Sequence, residues 1–211
     1  MSPGPIAVFD SGLGGLTVVK ALQQKLPNES IIYFGDTARV PYGNKSQTLI
    51  KEYSEEITKF LIGKKAKMVI VACNTASALA LSHLKQTFDI PILGVIEPGA
   101  EAARAVTKSK NIGIIGTLAT IRSEAYEKAI QKLDASIGTT AKACPLFVPL
   151  VEEGWLKGGV PTKIAETYLD ELVAEGIDTL ILGCTHYPLL IPVLEKVVGD
   201  NIQIVDSAET T

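Results

Sequence analysis

Short runs of β-branched and aliphatic residues alternate along this chain with longer segments whose apolar residues recur every three to four positions. The first pattern is typical of buried strands and the second of amphipathic helices. The predicted strands are residues 6–9, 31–34, 68–72, 92–94, 112–115, 180–182 and 202–205. The predicted helices are residues 16–25, 46–62, 76–87, 123–133 and 163–175. Because strands joined through helices run parallel, we expect an α/β fold with mostly parallel sheets covered by helices on both faces.

Two of the predicted strands end in the same way. Residues 69–75 and 180–186 each consist of an apolar run, a small residue, a cysteine and polar residues that can cap a helix. The two cysteines, Cys73 and Cys184, lie about half the chain apart. Open α/β sheets bind ligands at the carboxyl ends of their strands. We therefore expect two similar, pseudo-symmetric three-layer lobes that face one cleft, with a thiol on each side of a substrate.

The sequence Glu97-Pro98-Gly99 separates the two sets of strands and is a turn signal. It predicts a first lobe over residues 1–97 and a second over residues 98–206.

Composition excludes several classes of partner. A net charge of −3 and a pI of about 5.5 give no basic surface, so nucleic acid is not an expected partner. No apolar run approaches the length of a membrane span, and the first five residues do not form a signal peptide. The three cysteines fit neither a zinc cluster nor a disulfide framework. We expect free thiols, no metal site, no membrane association and a cytoplasmic protein.

The first strand leads into a carboxylate and a glycine-rich turn. Asp10 and Ser11 are followed by Gly12, Gly14 and Gly15, where the next helix begins. Such a turn lets the backbone approach an anion, and the helix start supplies free N–H groups. The spacing is not that of a dinucleotide or phosphate loop. A tight turn without a ligand is the alternative, but Asp10 has no evident structural role in the pattern, and this favours a function.

A second polar loop, residues 35–44, follows the second strand. Pro41 and Gly43 define a turn that would present the Tyr42 hydroxyl and the Gly43 N–H. Arg39 could hold a carboxylate through two parallel N–H groups. A solvated loop with an incidental tyrosine explains the same residues.

The three cysteines differ in their neighbours. Cys144 is flanked by apolar residues, so we expect it to pack as a small buried hydrophobe. Polar residues follow Cys73 and Cys184, and a helix N-terminus with a neighbouring imidazolium would lower the pKa of such a thiol. His186 is therefore a candidate acid, base or orienting group. We expect His83 on a solvated helix face.

Six segments together resemble the glutamate racemases of the aspartate/glutamate racemase family. They are residues 9–15, 35–43, 72–77, 94–99, 144–154 and 183–188, and the resemblance runs from Ile6 to about Ser207. It implies two α/β lobes around the substrate and two cysteines that interconvert L- and D-glutamate without a cofactor, supplying D-glutamate for peptidoglycan. It also implies a homodimer. Aspartate racemases of the family usually carry an acidic residue where this chain has His186, which favours glutamate.

The resemblance also assigns roles to residues. Cys73 would act as the base for the D-enantiomer with help from Asp10, and Cys184 for the L-enantiomer with help from Glu152 and His186. The implied substrate-binding residues are Asp10, Ser11, Pro41, Tyr42, Gly43, Cys73, Asn74, Thr75, Thr117, Thr120, Cys184, Thr185 and His186.

Residues 205–211 resemble the end of a strand, an N-cap and the first turn of a helix. Family members usually continue beyond this point, and the resemblance implies that residues 207–211 begin a segment that returns to the first lobe and packs on it. We therefore expect this 211-residue form to be poorly stable, aggregation-prone or dimeric through exposed apolar surface. Besides a racemase for glutamate, aspartate or another amino acid, the sequence leaves open an incomplete amino-acid-binding protein and a thiol-redox protein.

Overall fold

The computed structural model describes residues 4–210, and its strands form two four-stranded parallel sheets. The first sheet contains β1 (Ile6–Asp10), β2 (Ile31–Gly35), β3 (Met68–Val71) and β4 (Ile92–Gly94), in the order β2-β1-β3-β4. The second contains β5 (Asn111–Gly116), β6 (Gly138–Ala143), β7 (Thr179–Gly183) and β8 (Gln203–Asp206), in the order β6-β5-β7-β8. The two orders match position by position, which confirms the expected α/β fold with two similar halves.

Helices flank both sheets. They are α1 (Leu16–Lys25), α2 (Gln47–Gly63), α3 (Asn74–Thr87), α4 (Ile96–Val106), α5 (Leu118–Ser123), α6 (Ala125–Leu133), α7 (Phe147–Glu152), α8 (Gly159–Ala174), α9 (Ile191–Val198) and α10 (Ser207–Thr210). Single 3₁₀ turns cover Tyr42–Asn44 and Tyr187–Leu190. Within the described range, no helix is long and apolar enough to cross a membrane.

The central strands β1 and β7 are buried along their whole length, as their uninterrupted apolar sequences require. Helix starts follow local chemistry. Ser46 caps α2 by accepting a 3.3 Å hydrogen bond from the Leu49 N–H. The amphipathic helix α6 turns Tyr126 and Ile130 into the core beside β5.

The structure contains elements that the sequence pattern did not predict, namely β6 and the helices α4, α5, α7 and α9. Strand β6 is an edge strand of the sequence Gly-Thr-Thr-Ala-Lys-Ala, largely half-buried, and it lacks the apolar run by which strands were recognised. The predicted turn at Glu97-Pro98-Gly99 is wrong, because these residues form the first turn of α4. Proline is tolerated there because the first turn of a helix does not use its backbone N–H groups. Helix α4 packs against β7 and α6.

Candidate active site

Equivalent strands of the two sheets deliver Cys73 and Cys184 to one pocket. Cys73 follows β3 and is the N-cap residue of α3, whereas Cys184 follows β7 and precedes the 3₁₀ turn. Both are free, buried cysteines, and both line one small pocket. The matched sequence pattern therefore places two thiols in one cleft, each from a different sheet.

Most of the predicted binding residues line the same pocket. They are Ser11, Pro41, Tyr42, Gly43, Cys73, Asn74, Thr75, Thr117, Cys184, Thr185 and His186. Val40 and Val148 also line it and were not predicted, since an apolar side chain carries no chemical signal that marks it as a ligand contact. Three predicted residues do not line the pocket but form hydrogen bonds to residues that do. Asp10 binds Thr185, Thr120 binds Thr75 and Thr117, and Glu152 binds His186.

Asp10 has a structural role that the sequence did not reveal. Its Oδ2 accepts hydrogen bonds of 3.1 Å from the N–H groups of both Gly12 and Gly15, and its Oδ1 accepts one of 3.2 Å from the Thr185 hydroxyl. The carboxylate thus closes the glycine-rich turn and ties it to the residue after Cys184. A Cβ on Gly15 would lie 2.5 Å from the Asp10 Cβ, so this turn requires glycine. Burial raises the pKa of Asp10, against the lowering effect of His186 and the three donors.

An imidazole and a carboxylate stand beside Cys184. The Nδ1 atom of His186 lies 3.9 Å from the Cys184 Sγ, and its Nε2 lies 2.5 Å from the Glu152 Oε1. When Nε2–H donates to the carboxylate, the neutral ring leaves Nδ1 as an acceptor that faces the thiol. The Glu152–His186 pair can therefore take or return the thiol proton.

Cys73 has different neighbours. Burial, followed by the negative charge of Asp10, raises the pKa of the Cys73 thiol to about 12, although the Ala76 N–H and Ser11 act in the opposite direction. Burial also raises the pKa of Cys184, against the backbone N–H groups of His186 and Tyr187. The expectation of lowered thiol pKa values is therefore wrong, because the loss of solvent outweighs the hydrogen-bond donors at each sulfur.

The loop before α2 forms part of the pocket wall, and a network of hydrogen bonds and ion pairs fixes this loop. The Tyr42 hydroxyl donates to Asp36 at 2.6 Å, and Arg39 contacts Asp36 at 2.7 Å and Glu56 at 2.6 Å. The Tyr42 hydroxyl proton and two of the Arg39 N–H groups are therefore committed to carboxylates of the protein itself. A Cβ on Gly43 would lie 2.5 Å from the Thr117 side chain, so glycine lets this loop reach the other half.

Three threonine hydroxyls form a polar cluster where α3 meets α5. Thr75, Thr117 and Thr120 are mutually hydrogen-bonded at 2.9, 3.1 and 3.0 Å and are buried. Thr75 and Thr117 face the pocket, and Thr120 fixes both of them. With Ser11 and Thr185, the pocket offers several hydroxyl groups, which suits a small ligand with charged ends.

Two remaining predictions concern residues outside the pocket. Cys144 is fully buried, as expected, in the apolar core between the second sheet and helices α7, α8 and α9. The His83 side chain remains 34% exposed, in line with a partly solvated helix face, and its Nε2 lies 2.7 Å from the Glu55 Oε2, which joins α3 to α2.

Comparison with known proteins gives a consistent result. The model of the Asp/Glu/Hydantoin racemase family matches residues 16–211. A glutamate racemase of Geobacter metallireducens is 55% identical over 206 residues, which is 98% of this chain and 76% of that protein. The crystal structure of glutamate racemase isoform RacE1 from Bacillus anthracis superposes with a TM-score of 0.97 at 44% identity, covering 100% of this chain and 79% of that one. A glutamate racemase from Francisella tularensis in complex with D-glutamate gives 0.93 at 40% identity, covering 100% and 78%. With both thiols in one pocket of this fold, the chain belongs to the Asp/Glu/Hydantoin racemase family.

Proposed function

We propose that this protein is a glutamate racemase that interconverts L- and D-glutamate by proton transfer at two cysteines, without a cofactor. The observation that carries the proposal is that Cys73 and Cys184 come from different sheets and line one pocket. Racemisation removes the α-proton from one face and returns a proton to the other, so it requires a base and an acid on opposite sides. The names of the similar proteins support glutamate as the substrate.

In the direction from D- to L-glutamate, the Cys73 thiolate takes the α-proton, and the electron pair of the broken C–H bond remains on the α-carbon. This carbanion then takes the proton of the Cys184 thiol on the opposite face, which leaves Cys184 as the thiolate. The reverse reaction exchanges the two roles. Because burial raises the pKa of both thiols, a thiolate formed in this pocket is a stronger base than a solvated one.

The groups beside each thiol divide the proton handling. His186, oriented by Glu152, exchanges a proton with Cys184, while the charge of Asp10 favours the thiol form of Cys73 and so its basicity as thiolate. The hydroxyl groups of Ser11, Thr75, Thr117 and Thr185 are placed to bind the carboxylates and amino group of the substrate. Val40 and Val148 would contact the methylene groups of the substrate. These apolar side chains would exclude water from the reacting carbon.

We also propose that the product D-glutamate enters peptidoglycan synthesis and that the protein acts in the cytoplasm. We propose a homodimer, and we propose that each chain has two lobes, residues 1–97 and 98–206, with residues 207–211 returning to the first; the boundary falls in the first turn of α4. Sedimentation of the purified protein tests the dimer, and rescue of a D-glutamate-requiring bacterium tests the cellular role.

The direct test of the activity is chiral analysis of the amino acid after incubation with L-glutamate and, separately, L-aspartate. We expect D-glutamate to form and kcat/KM for glutamate to exceed that for aspartate by at least about 100-fold, a range that binding differences of a few kcal/mol provide. Preference for aspartate would overturn the substrate assignment. Tight binding of glutamate without racemisation would indicate a binding protein, and alkylation of both cysteines only after reduction would indicate the redox alternative.

A further inference from the structure

The Asn74 carboxamide, next to Cys73, is held from behind by the other half of the molecule. Its Oδ1 accepts a hydrogen bond of 2.6 Å from the Tyr126 hydroxyl, and its Nδ2 donates one of 3.2 Å to the Ser207 Oγ. The Ser207 hydroxyl in turn donates to the Leu182 carbonyl at 3.3 Å. All four residues are buried. The amide of Asn74 is therefore committed to protein contacts at both ends.

Tyr126 also touches the chain beside the second thiol. A Cβ on Gly183, the residue before Cys184, would lie 3.2 Å from the Tyr126 ring, and one on Gly99 would lie 3.2 Å from the ring's other edge. The ring thus fits between two glycine backbones, one in β7 and one in α4. Its hydroxyl contacts the residue after Cys73, and its ring contacts the residue before Cys184.

Ser207 makes a second connection of the same kind. It binds Asn74 at the start of α3 and the carbonyl of Leu182, two residues before Cys184 in β7. Tyr126 and Ser207 come from α6 and α10, and neither residue is part of the pocket lining given above. Both link the Asn74 side chain, next to Cys73, to the β7 backbone just before Cys184 without lining the pocket.

We propose that Tyr126 and Ser207 are positioning residues that set the separation of the Cys73 and Cys184 thiols through Asn74. The proposal rests on the proposed racemase function, because that reaction requires both sulfur atoms within proton-transfer distance of one carbon. Misplacement of a reacting group by about 1 Å can lower a rate about 100-fold. We call the hydrogen bonds of Tyr126 and Ser207 to Asn74 the clamp. Loss of the clamp therefore affects the proton-transfer step more than substrate affinity.

The main test is Tyr126→Phe, which keeps the ring between the two glycines and removes only the hydroxyl. We expect kcat for glutamate to fall by about 10- to 100-fold while KM changes less than about threefold, measured well below the melting temperature. Ser207→Ala removes the second arm of the clamp and should lower kcat by about tenfold. Tyr168→Phe is the matched control, because the half-buried Tyr168 hydroxyl accepts a hydrogen bond from the Leu146 N–H outside the pocket. It should keep the parent kcat.

A second measurement separates this proposal from the proposed function. The alkylation rates of Cys73 and Cys184 by iodoacetamide are followed by mass spectrometry in the parent and both variants, which requires no turnover. We expect the ratio of the two rates to change at least about threefold in Tyr126→Phe, because thiol accessibility and environment control reactivity. An active parent with unchanged kcat in both variants would overturn the clamp. If the parent does not racemise glutamate, the racemase proposal fails, and an unchanged alkylation ratio would then overturn the clamp as well.

Discussion

The Cys73 and Cys184 sites occupy the same place on two similar sheets, yet their surroundings differ. Each cysteine follows the strand that lies third in its sheet, and each is buried in the shared pocket. Cys73 begins a helix of 14 residues, whereas Cys184 precedes a 3₁₀ turn of four. Cys184 also has an imidazole at 3.9 Å, which a half-exposed Glu152 orients. Cys73 lies near a carboxylate that three donors hold in place.

This difference shows what a duplicated scaffold determines and what it leaves to the loops. The matching strand order fixes where the two thiols stand. The loops that follow the strands then decide how each thiol exchanges its proton. Asp10 is the last residue of β1, whereas Glu152 is the last residue of α7, so the two groups have no equivalent positions in the two halves. The reaction we propose is symmetric, and the machinery around it is not.

The largest expected effect removes either thiol. Cys73→Ser and Cys184→Ser should each lower racemisation by about 10²–10⁴-fold or more. A serine hydroxyl is a far weaker acid than a thiol, so it neither donates its proton readily nor ionises to act as the base. Cys144→Ser is the matched control and should retain turnover, since Cys144 packs in the core. Chiral analysis of product at saturating glutamate provides the measurement. A Cys73 or Cys184 variant within a few-fold of the parent would remove that cysteine from the mechanism.

A smaller effect should distinguish the two sides. The two enantiomers have equal free energy, so kcat/KM must be the same in both directions for every variant. The asymmetry therefore appears in the isotope effect of α-deuterated substrate. Asp10→Asn should slow proton abstraction by Cys73 and raise the isotope effect for D-glutamate, whereas His186→Asn should raise it for L-glutamate.

Competitive isotope effects on kcat/KM, measured for both enantiomers in each variant, decide this assignment. The parent enzyme and Cys144→Ser provide the reference values. Equal changes for both enantiomers in both variants would contradict the assignment of one helper to each thiol.

The smallest effect concerns stability at alkaline pH. The folded pKa of Cys73 is raised to about 12, above the value of about 8.5 in an unfolded chain. The thiol form therefore stabilises the folded state fully below pH of about 8.5, and this contribution is lost as the pH rises towards 12. Between these values the unfolding free energy should fall by up to about 1.4 kcal/mol per pH unit for each such thiol.

Urea unfolding of the parent, Cys73→Ser and Cys184→Ser is measured at several pH values between about 8 and 10, a range that begins near the pKa of an unfolded cysteine. Each variant should show a shallower decline than the parent, because one buried thiol no longer titrates. A shallower decline in only one variant would show that the two thiols are not equally removed from water. Parallel curves for all three proteins would contradict the raised pKa values.

The sequence was sufficient to predict the elements whose chemistry is local. Uninterrupted apolar runs identified β3 and β7, and the residues after them identified Cys73 and Cys184 as pocket residues. The edge strand β6 was missed because half-buried edge positions accept polar residues. Proline in the first turn of α4 was interpreted as a turn for lack of any local signal that a helix begins there.

Contacts between distant segments could not be predicted in the same way. Asp10 binds Thr185, and Asn74 binds Tyr126 and Ser207, across the two halves of the chain. These partners carry no shared pattern in the sequence, since a hydrogen bond between segments depends on how the sheets face each other. The direction of the thiol pKa shifts was wrong for the same reason. Local sequence shows a helix start, but it does not show how completely the folded chain excludes water.

The central claim is that two thiols act on opposite faces of one α-carbon, and racemisation of L-glutamate in deuterium oxide tests it directly. Thiol protons exchange with solvent before substrate binds, so Cys73 should deliver deuterium to the carbanion left by Cys184. We expect the first D-glutamate formed to carry one α-deuterium while the remaining L-glutamate is still unlabelled, as measured by chiral separation with mass spectrometry. D-Glutamate that retains the original α-proton would show return by a single base and would contradict the two-thiol account.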